Sequence, residues 1–225
     1  MHIPDGFLSP ITCITCYAAI IPFWIIFSKK VQKGMNTQLM SYAALGASFS
    51  FLIMMINIPI PGGTCGHATG TALLSLLFGP EYAFILVSLA LAIQALIFGD
   101  GGITTYGANV ISMALIPSYI AHYLNYILGK LRNNTTLCPI NSAISAYFAI
   151  VSGALFTSVI LGVQPYFFHS ATGLPMFFPY GLNVTIPAML IPHILVFGSI
   201  EGVITSLVIK YLATSNNLLN LQVDE

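Results

Sequence analysis

The segment ITCITCYAAIIPFWIIFS occupies residues 11–28 and contains no charged residue, and Lys29 and Lys30 follow it directly. A transmembrane α-helix needs roughly 20 predominantly apolar residues, because the hydrocarbon core of a bilayer is about 30 Å thick. The segment has nearly this length, and the two lysines mark its end. It therefore predicts a membrane-spanning helix, and similar apolar runs recur along the rest of the chain.

The composition of the whole chain also indicates a membrane protein. Of its 225 residues, 57% are hydrophobic and 5% are charged, whereas soluble domains contain about 25% charged residues. The length suits one integral membrane domain over residues 1–225. The net charge is zero, so nothing predicts a nucleic-acid partner. A signal peptide begins with a positively charged n-region, but no positive charge precedes Lys29 in this sequence. Met1 is therefore expected to be the mature N-terminus.

Seven helical segments predict an all-α polytopic bundle over residues 11–212. Gly- and Pro-rich or polar breakers separate them, and a segment at 1–10 and a tail at 213–225 flank the bundle. The predicted helices are 11–28, 37–56, 67–78, 81–98, 104–128, 139–161 and 184–212.

The basic residues predict how the bundle lies in the membrane. All six are at the ends of odd-numbered predicted helices: Lys29, Lys30, Lys33, Lys130, Arg132 and Lys210. Cytoplasmic loops carry an excess of lysine and arginine. An extracytoplasmic N-terminus puts all six on the cytoplasmic side, so the C-terminus is predicted to be cytoplasmic.

The third predicted helix, residues 67–78, is too short to cross a bilayer. It rises ~17 Å at about 1.5 Å per residue, against a core of about 30 Å. His67 is therefore predicted to lie about halfway through the membrane. Irregular backbone at that depth is tolerated only where it is buried in protein or lines a cavity, and interrupted helices near the midplane are a sign of transporter binding sites.

The position of His2 predicts a chelating N-terminus. A free α-amine, the next peptide nitrogen and the imidazole Nδ1 of residue 2 can hold one ion through a five-membered and a six-membered ring. One further imidazole completes a square, a geometry that suits Ni(II) or Cu(II). The alternative is a surface histidine.

His67 is the candidate for the further imidazole. Its neighbours are small (Gly62 to Gly66 include three glycines), so another part of the chain can approach closely. Pro4, Asp5 and Gly6 can turn the N-terminus inward. The alternative for His67 is a buried histidine bonded to a backbone carbonyl.

Several stretches together resemble the CbiM/NikM family, the substrate-specific membrane components of energy-coupling-factor transporters for cobalt and nickel. The stretches are MHIPDGFLSP at 1–10, PGGTCGHATG at 61–70, FGDGGITTYGANVISM at 98–113, and Pro192-His193 followed by Glu201-Gly202. The resemblance runs from Met1 to about Leu212.

The resemblance implies a seven-helix fold with the N-terminus folded into the core. It implies a metal site made by the Met1 amine, the His2 amide nitrogen and imidazole, and the His67 imidazole. Nickel or cobalt ions are the implied transported substrate, with no organic cofactor. The implied partners are a transmembrane coupling subunit and two ATPase subunits, with room for a small accessory membrane subunit, in a prokaryotic plasma membrane.

Other polar residues of these motifs have less definite roles. Asp100 either orients a ligand histidine or caps the fifth helix near Thr104, and Asn109 is a candidate to support His67, since a ligating imidazole donates its other N–H to a partner. His193 and Glu201 are expected to pair structurally. Cys65 stands where relatives more often carry Ser or Thr, and direct ligation is the less favoured use of its thiol.

A small-residue face on the second helix has two interpretations. Ala43 and Ala47, with Gly46 and Ser50, are spaced to let another helix pack closely. In the family that the chain resembles, such a face docks on the coupling subunit, which makes Ala43 and Ala47 docking candidates. The alternative is packing within this chain.

The motifs that are absent exclude several functions. No GxxxxGK[ST] phosphate-binding sequence is present, so ATP hydrolysis is expected on partner subunits. No GxSxG or HExxH sequence is present, so the chain is not expected to be an enzyme. The remaining alternative is a stand-alone secondary transporter of divalent metals. The sequence does not distinguish nickel from cobalt, because the same four nitrogens can bind either ion.

Overall fold

A computed structural model describes residues 1–132 and 137–214 of the chain. These residues form seven main helices and one small hairpin. The helices are α1 (Pro10–Gly34), α2 (Thr37–Met54), α3 (Thr71–Phe78), α4 (Pro80–Phe98), α5 (106–131), α6 (Pro139–Gly162) and α7 (Leu182–Thr214). The strands are β1 (Ile58–Pro59) and β2 (Cys65–Gly66), which pair antiparallel. A short turn of helix, Gln164–Phe167, prolongs α6.

The predicted all-α membrane fold is confirmed, and α1, α2, α4, α6 and α7 are long and apolar enough to cross a membrane. α3 has only eight residues, and all eight are buried. The number of spans and the side of the membrane that each end faces stay predictions. Residues 133–136, in the polar segment between the fifth and sixth predicted helices, and the tail from residue 215 onward lie outside the described residues.

Local sequence explains where the first two helices begin. Ser9 caps α1 by accepting a hydrogen bond from the Thr12 amide, and Pro10 occupies the first helical position, where its missing N–H costs nothing. Asn36 caps α2 in the same way, with its side-chain oxygen 2.7 Å from the Leu39 amide nitrogen. α1 runs six residues further than predicted, so its lysines lie within its last turns.

Polar contacts relate the directions of three helices. Lys30 at the end of α1 lies 2.8 Å from Glu81 at the start of α4. At the other end of α4, Asn57 after α2 donates to Asp100 after α4, at 3.1 Å. α4 therefore begins beside the end of α1 and ends beside the end of α2.

The predicted start of the third helix was wrong. The helix begins at Thr71 rather than His67, so it rises only ~12 Å at about 1.5 Å per residue. The backbone from His67 to Gly70 is irregular, and the β1–β2 hairpin precedes it. Gly70 has a φ of +70°, a left-handed conformation that glycine adopts at little cost, and this turns the chain into α3.

The small-residue face of α2 packs inside the chain, contrary to the docking role predicted for Ala43 and Ala47. Ala43 is buried, and Ala47 is partly buried against the same core. A Cβ on Gly46 would lie 2.5 Å from the Leu74 side chain of α3. The Ser50 hydroxyl donates to the Thr69 carbonyl at 2.6 Å. Because the chain's own α3 segment already covers this face, we do not propose it as a docking surface.

Candidate metal centre

The N-terminus is folded into the interior of the bundle. Met1 and Ile3 are fully buried, and His2 is 3% exposed. Both backbone groups of Ile3 are bonded by one side chain, because Asn109 accepts from the Ile3 amide at 2.8 Å and donates to the Ile3 carbonyl at 3.1 Å. Asn109 therefore holds the N-terminal segment. The prediction that Asn109 supports the His67 ring is corrected accordingly.

Asp5 makes the turn that directs the first residues inward. Its carboxylate accepts from the Thr104 amide at 2.8 Å and the Ile103 amide at 3.1 Å. The capping role near Thr104 that was considered for Asp100 is thus performed by Asp5. Gly101 lets the two segments meet, since it has a φ of +84° and a Cβ there would lie 3.3 Å from the His2 ring.

The Met1 amine lies between the loop residues His67 and Cys65. Its nitrogen is 2.8 Å from Nε2 of His67 and 3.1 Å from Sγ of Cys65. With metal–nitrogen bonds of about 2.0 Å, neighbouring corners of a square are about 2.8 Å apart. Met1, His2 and His67 are called the donor cluster below.

The hydrogen bond on the far side of His67 fixes its tautomer. Nδ1 lies 3.0 Å from the Ala68 carbonyl oxygen. A carbonyl oxygen only accepts, so Nδ1 carries the proton. The unprotonated Nε2 therefore points at the Met1 amine with its lone pair available.

Gln94 fixes the tautomer of His2 in the same manner. The side-chain amide of Gln94 donates to the Phe51 carbonyl at 3.2 Å, which turns its oxygen toward Nε2 of His2 at 3.1 Å. Nε2 then carries the proton, and Nδ1 is left buried without a hydrogen-bond partner among the described residues. The Asp100 carboxylate faces this Nδ1 at 3.5 Å. Two electron-rich atoms thus face each other with no proton between them, an arrangement that a cation stabilises.

Burial disfavours the charged forms of the donor cluster. Desolvation lowers the pKa of the Met1 amine below its ordinary value. Desolvation, together with the nearby amine, lowers the pKa of His2 to about 3 and that of His67 well below its ordinary range. Because metal ligands must be deprotonated, burial favours the form of these groups that binds a metal ion. Desolvation raises the pKa of Asp100.

Glu201 anchors the loop that carries His67. Its buried carboxylate accepts from the Thr69 amide at 2.7 Å and the Gly70 amide at 3.2 Å. This is the structural use expected for it, although its partner is the loop and not His193. His193 instead bonds the Met189 carbonyl through Nδ1 at 2.6 Å.

Sequence reasoning missed the role of Gln94. It expected Asp5 in the inward turn but did not identify the Ile103 and Thr104 amides as partners of its carboxylate. Gln94 begins a π-helical turn, Gln94–Phe98, and such turns are frequent at functional sites. The available signal was an isolated amide in an apolar helix, since polar residues there seek partners across helices. Asp5 had only a weak signal, because a carboxylate in a Pro-Asp-Gly turn has many uses.

The fold and the donor cluster define the class of the protein: a multi-pass helical membrane protein whose buried N-terminus meets two neutral histidines. The chain belongs to the CbiM family, described as a cobalt uptake substrate-specific transmembrane region, whose family model matches residues 2–219. It is a protein of a prokaryotic plasma membrane.

Relatives with known names are transport proteins. The chain is 43% identical over 218 residues to the fused nickel transport protein NikMN of Rhodobacter capsulatus, covering 96% of this chain and 62% of that protein. It therefore spans less than two thirds of that relative. It is 33% identical over 166 residues to the cobalt transport protein CbiM of Lachnoclostridium phytofermentans, covering 73% and 64%. A crystal structure of a truncated transition metal transporter superposes with a TM-score of 0.92 at 46% identity, covering 96% of this chain and 99% of that chain.

Proposed function

We propose that this chain is the substrate-binding membrane component of an energy-coupling-factor transporter that imports nickel or cobalt ions. It captures the ion in a square-planar site of four nitrogens: the Met1 amine, the His2 amide nitrogen, His2 Nδ1 and His67 Nε2. The observation that carries the proposal is the buried pair of Met1 amine and His67 Nε2, 2.8 Å apart.

The hydrogen bonds around His2 support this donor set. Nδ1 is the unprotonated nitrogen of its ring, as the six-membered chelate with the amide nitrogen requires. Among residues 1–132 and 137–214, no hydrogen bond holds the His2 amide N–H. The amide can therefore release its proton and bind a metal without breaking the fold.

The charges also support a divalent ion. A buried charge is costly unless it is compensated. A deprotonated His2 amide and the Asp100 carboxylate together carry two negative charges beside the site. These balance one divalent cation, whereas the amine and the imidazoles bind as neutral groups.

Geometry disfavours zinc and magnesium, and similarity favours nickel over cobalt. Four nitrogens in one plane suit Ni(II), whereas zinc prefers a tetrahedron and magnesium prefers oxygen ligands. The identity to the fused nickel transport protein, 43%, exceeds that to the cobalt transport protein, 33%.

Transport requires partners in this proposal. The chain lacks a phosphate-binding motif, and a transmembrane coupling subunit with two ATPase subunits supplies the energy. A small accessory membrane subunit completes some such assemblies.

The test compares binding with transport. The purified chain is titrated with Ni(II) and Co(II), and uptake is measured in sealed vesicles that hold either the chain alone or the chain with its partners and ATP. We expect one tightly bound ion per chain and uptake only by the complete assembly. Uptake by the chain alone, driven by an ion gradient, would instead establish a secondary transporter. Absence of binding would overturn both readings.

A further inference from the structure

Cys65 adds a sulfur atom to the edge of the donor cluster. Its Sγ lies 3.1 Å from the Met1 amine. One donor atom each from His2, Cys65 and His67 lies within 4.8 Å of the others. β2 fixes the position of the thiol, since Cys65 pairs with Pro59 across the hairpin.

A second observation is an unpartnered nitrogen in the same cluster. His2 is 3% exposed, and its Nδ1 has no hydrogen-bond partner within the described part of the chain. A buried lone pair without a partner is costly, and a bound cation would satisfy it. The thiol therefore lies in a cluster that holds an unsatisfied nitrogen donor.

The separations are close to those of a tetrahedral site. Zinc bonds of about 2.0 Å to nitrogen and 2.3 Å to sulfur place two nitrogens about 3.3 Å apart and a nitrogen and a sulfur about 3.5 Å apart. The Met1 amine is 2.8 Å from His67 Nε2 and 3.1 Å from Cys65 Sγ. Small movements of side chains reach the tetrahedral values.

We propose that Cys65 is a metal ligand that gives the cluster a second donor set: the Met1 amine, His2 Nδ1, Cys65 Sγ and His67 Nε2. This rests on the function proposed above. The set holds a thiophilic divalent cation, Zn(II) or tetrahedral Co(II). The thiol loses its proton to solvent as the sulfur–metal bond forms, and the His2 amide keeps its proton.

The two donor sets differ in the group that becomes an anion. In the four-nitrogen set it is the His2 amide, which loses its proton to Ni(II) and Cu(II) far more readily than to Zn(II). In the second set it is the Cys65 thiolate, a soft ligand that suits zinc. Each anion, with Asp100, balances one divalent cation. Cys65 is thus a determinant of which metal the site accepts.

The experiment uses Zn(II) and Ni(II) with the purified full chain and two serine variants. X-ray absorption at the zinc edge is expected to show one sulfur at about 2.3 Å beside nitrogens at about 2.0 Å. In Cys65→Ser the sulfur signal disappears, and the ratio of zinc affinity to nickel affinity falls by at least about tenfold. Cys138→Ser is a matched control at a cysteine of similar exposure at the start of α6. It is expected to keep the sulfur signal and the wild-type ratio of zinc affinity to nickel affinity.

The outcomes separate the two proposals. A wild-type protein that binds nickel and whose zinc spectrum contains only nitrogen and oxygen overturns ligation by Cys65 and leaves the proposed function intact. An unchanged zinc spectrum in Cys65→Ser would also overturn ligation by Cys65 and leave the proposed function intact. If the wild type binds neither metal, the proposed function fails, and ligation by Cys65 fails with it.

Discussion

The donor cluster and the helix α6 are both buried, but their backbone hydrogen-bonding groups are satisfied in different ways. α6 is regular and packs through small residues: Ala146, Ala149 and Ala154 are fully buried, and a Cβ on Gly153 would meet the Ser112 carbonyl of α5. Its backbone groups are satisfied within the helix. The segments that carry the donors are irregular, and neighbouring side chains satisfy their backbone, chiefly Asn109, Asp5 and Glu201.

The difference shows how the molecule divides its tasks. Close helix packing provides stability but leaves no free donor. Irregular backbone leaves the Met1 amine and two imidazoles pointing into one space. Burial disfavours their charged forms and so favours the forms that bind metal.

The largest predicted effect comes from adding one residue before Met1. The new amine lies outside chelating distance, the histidine no longer follows the N-terminal residue, and the extra residue has to enter a fully buried space. Nickel affinity is expected to fall by more than the roughly 10–100-fold typical of changes outside the ligands themselves. Calorimetry with Ni(II) measures it.

An extension of the same length after Glu225 is the control and is expected to bind nickel normally. Equal affinities for the two extended proteins would contradict a site that contains the α-amine.

The next effect comes from His67→Ala, which removes one of the four donors. Nickel affinity is expected to fall at least a hundredfold, while the free energy of unfolding changes by about 1–3 kcal/mol. Outside the cluster, the one hydrogen bond that the ring makes to a described residue is with the Ala68 carbonyl. Metal titration and thermal unfolding of the same sample separate the two effects.

His122→Ala, at a half-buried histidine of α5, is the matched control and is expected to leave binding unchanged. A His67→Ala protein that keeps its nickel and loses stability would identify His67 as a purely structural residue.

The sequence predicted the helices better than it predicted the surroundings of the donors. Apolar runs and breakers locate the seven helices because lipid demands long uninterrupted runs. The start of α3 was misplaced by four residues, because His67-Ala68-Thr69 is compatible with a helix. Contacts from residues distant in sequence, Ser50 and Glu201, the latter 132 residues from Thr69, hold it in another conformation. Gln94 was missed for the same reason: its partners Phe51 and His2 are distant in sequence.

A smaller effect is predicted for Gln94→Leu, which tests the positioning of His2. Without the oxygen of Gln94, the proton on His2 Nε2 has no acceptor, and the ring is free to rotate or change tautomer. Nickel affinity is expected to fall by roughly 10–100-fold. Gln94→Glu keeps an oxygen toward Nε2 and is expected to restore most of the affinity. Equal losses in both variants would mean that Gln94 acts only through packing.

The smallest effect is the pH dependence of nickel binding near neutrality. Unperturbed pKa values are about 6.5 for histidine and about 7.7–8.0 for an α-amine, so an exposed cluster would release nearly one proton on binding at pH 7.5, most of it from the amine. Here burial lowers the pKa of the Met1 amine and of both histidines, that of His2 to about 3. A lowered pKa favours the neutral form, so these groups carry fewer protons at pH 7.5 than the same groups would in water.

The His2 amide is then the one group that releases a proton when nickel binds. Nickel affinity is expected to fall about tenfold for each unit that the pH decreases between pH 8 and 6.5. The fall is steeper at acid pH, where the amine and imidazoles take up protons and compete with the metal. Calorimetry in two buffers with different ionisation enthalpies counts the protons. A count close to two at pH 7.5 would mean that the amine is still protonated there before nickel binds, whereas a count of zero would exclude the amide as a ligand.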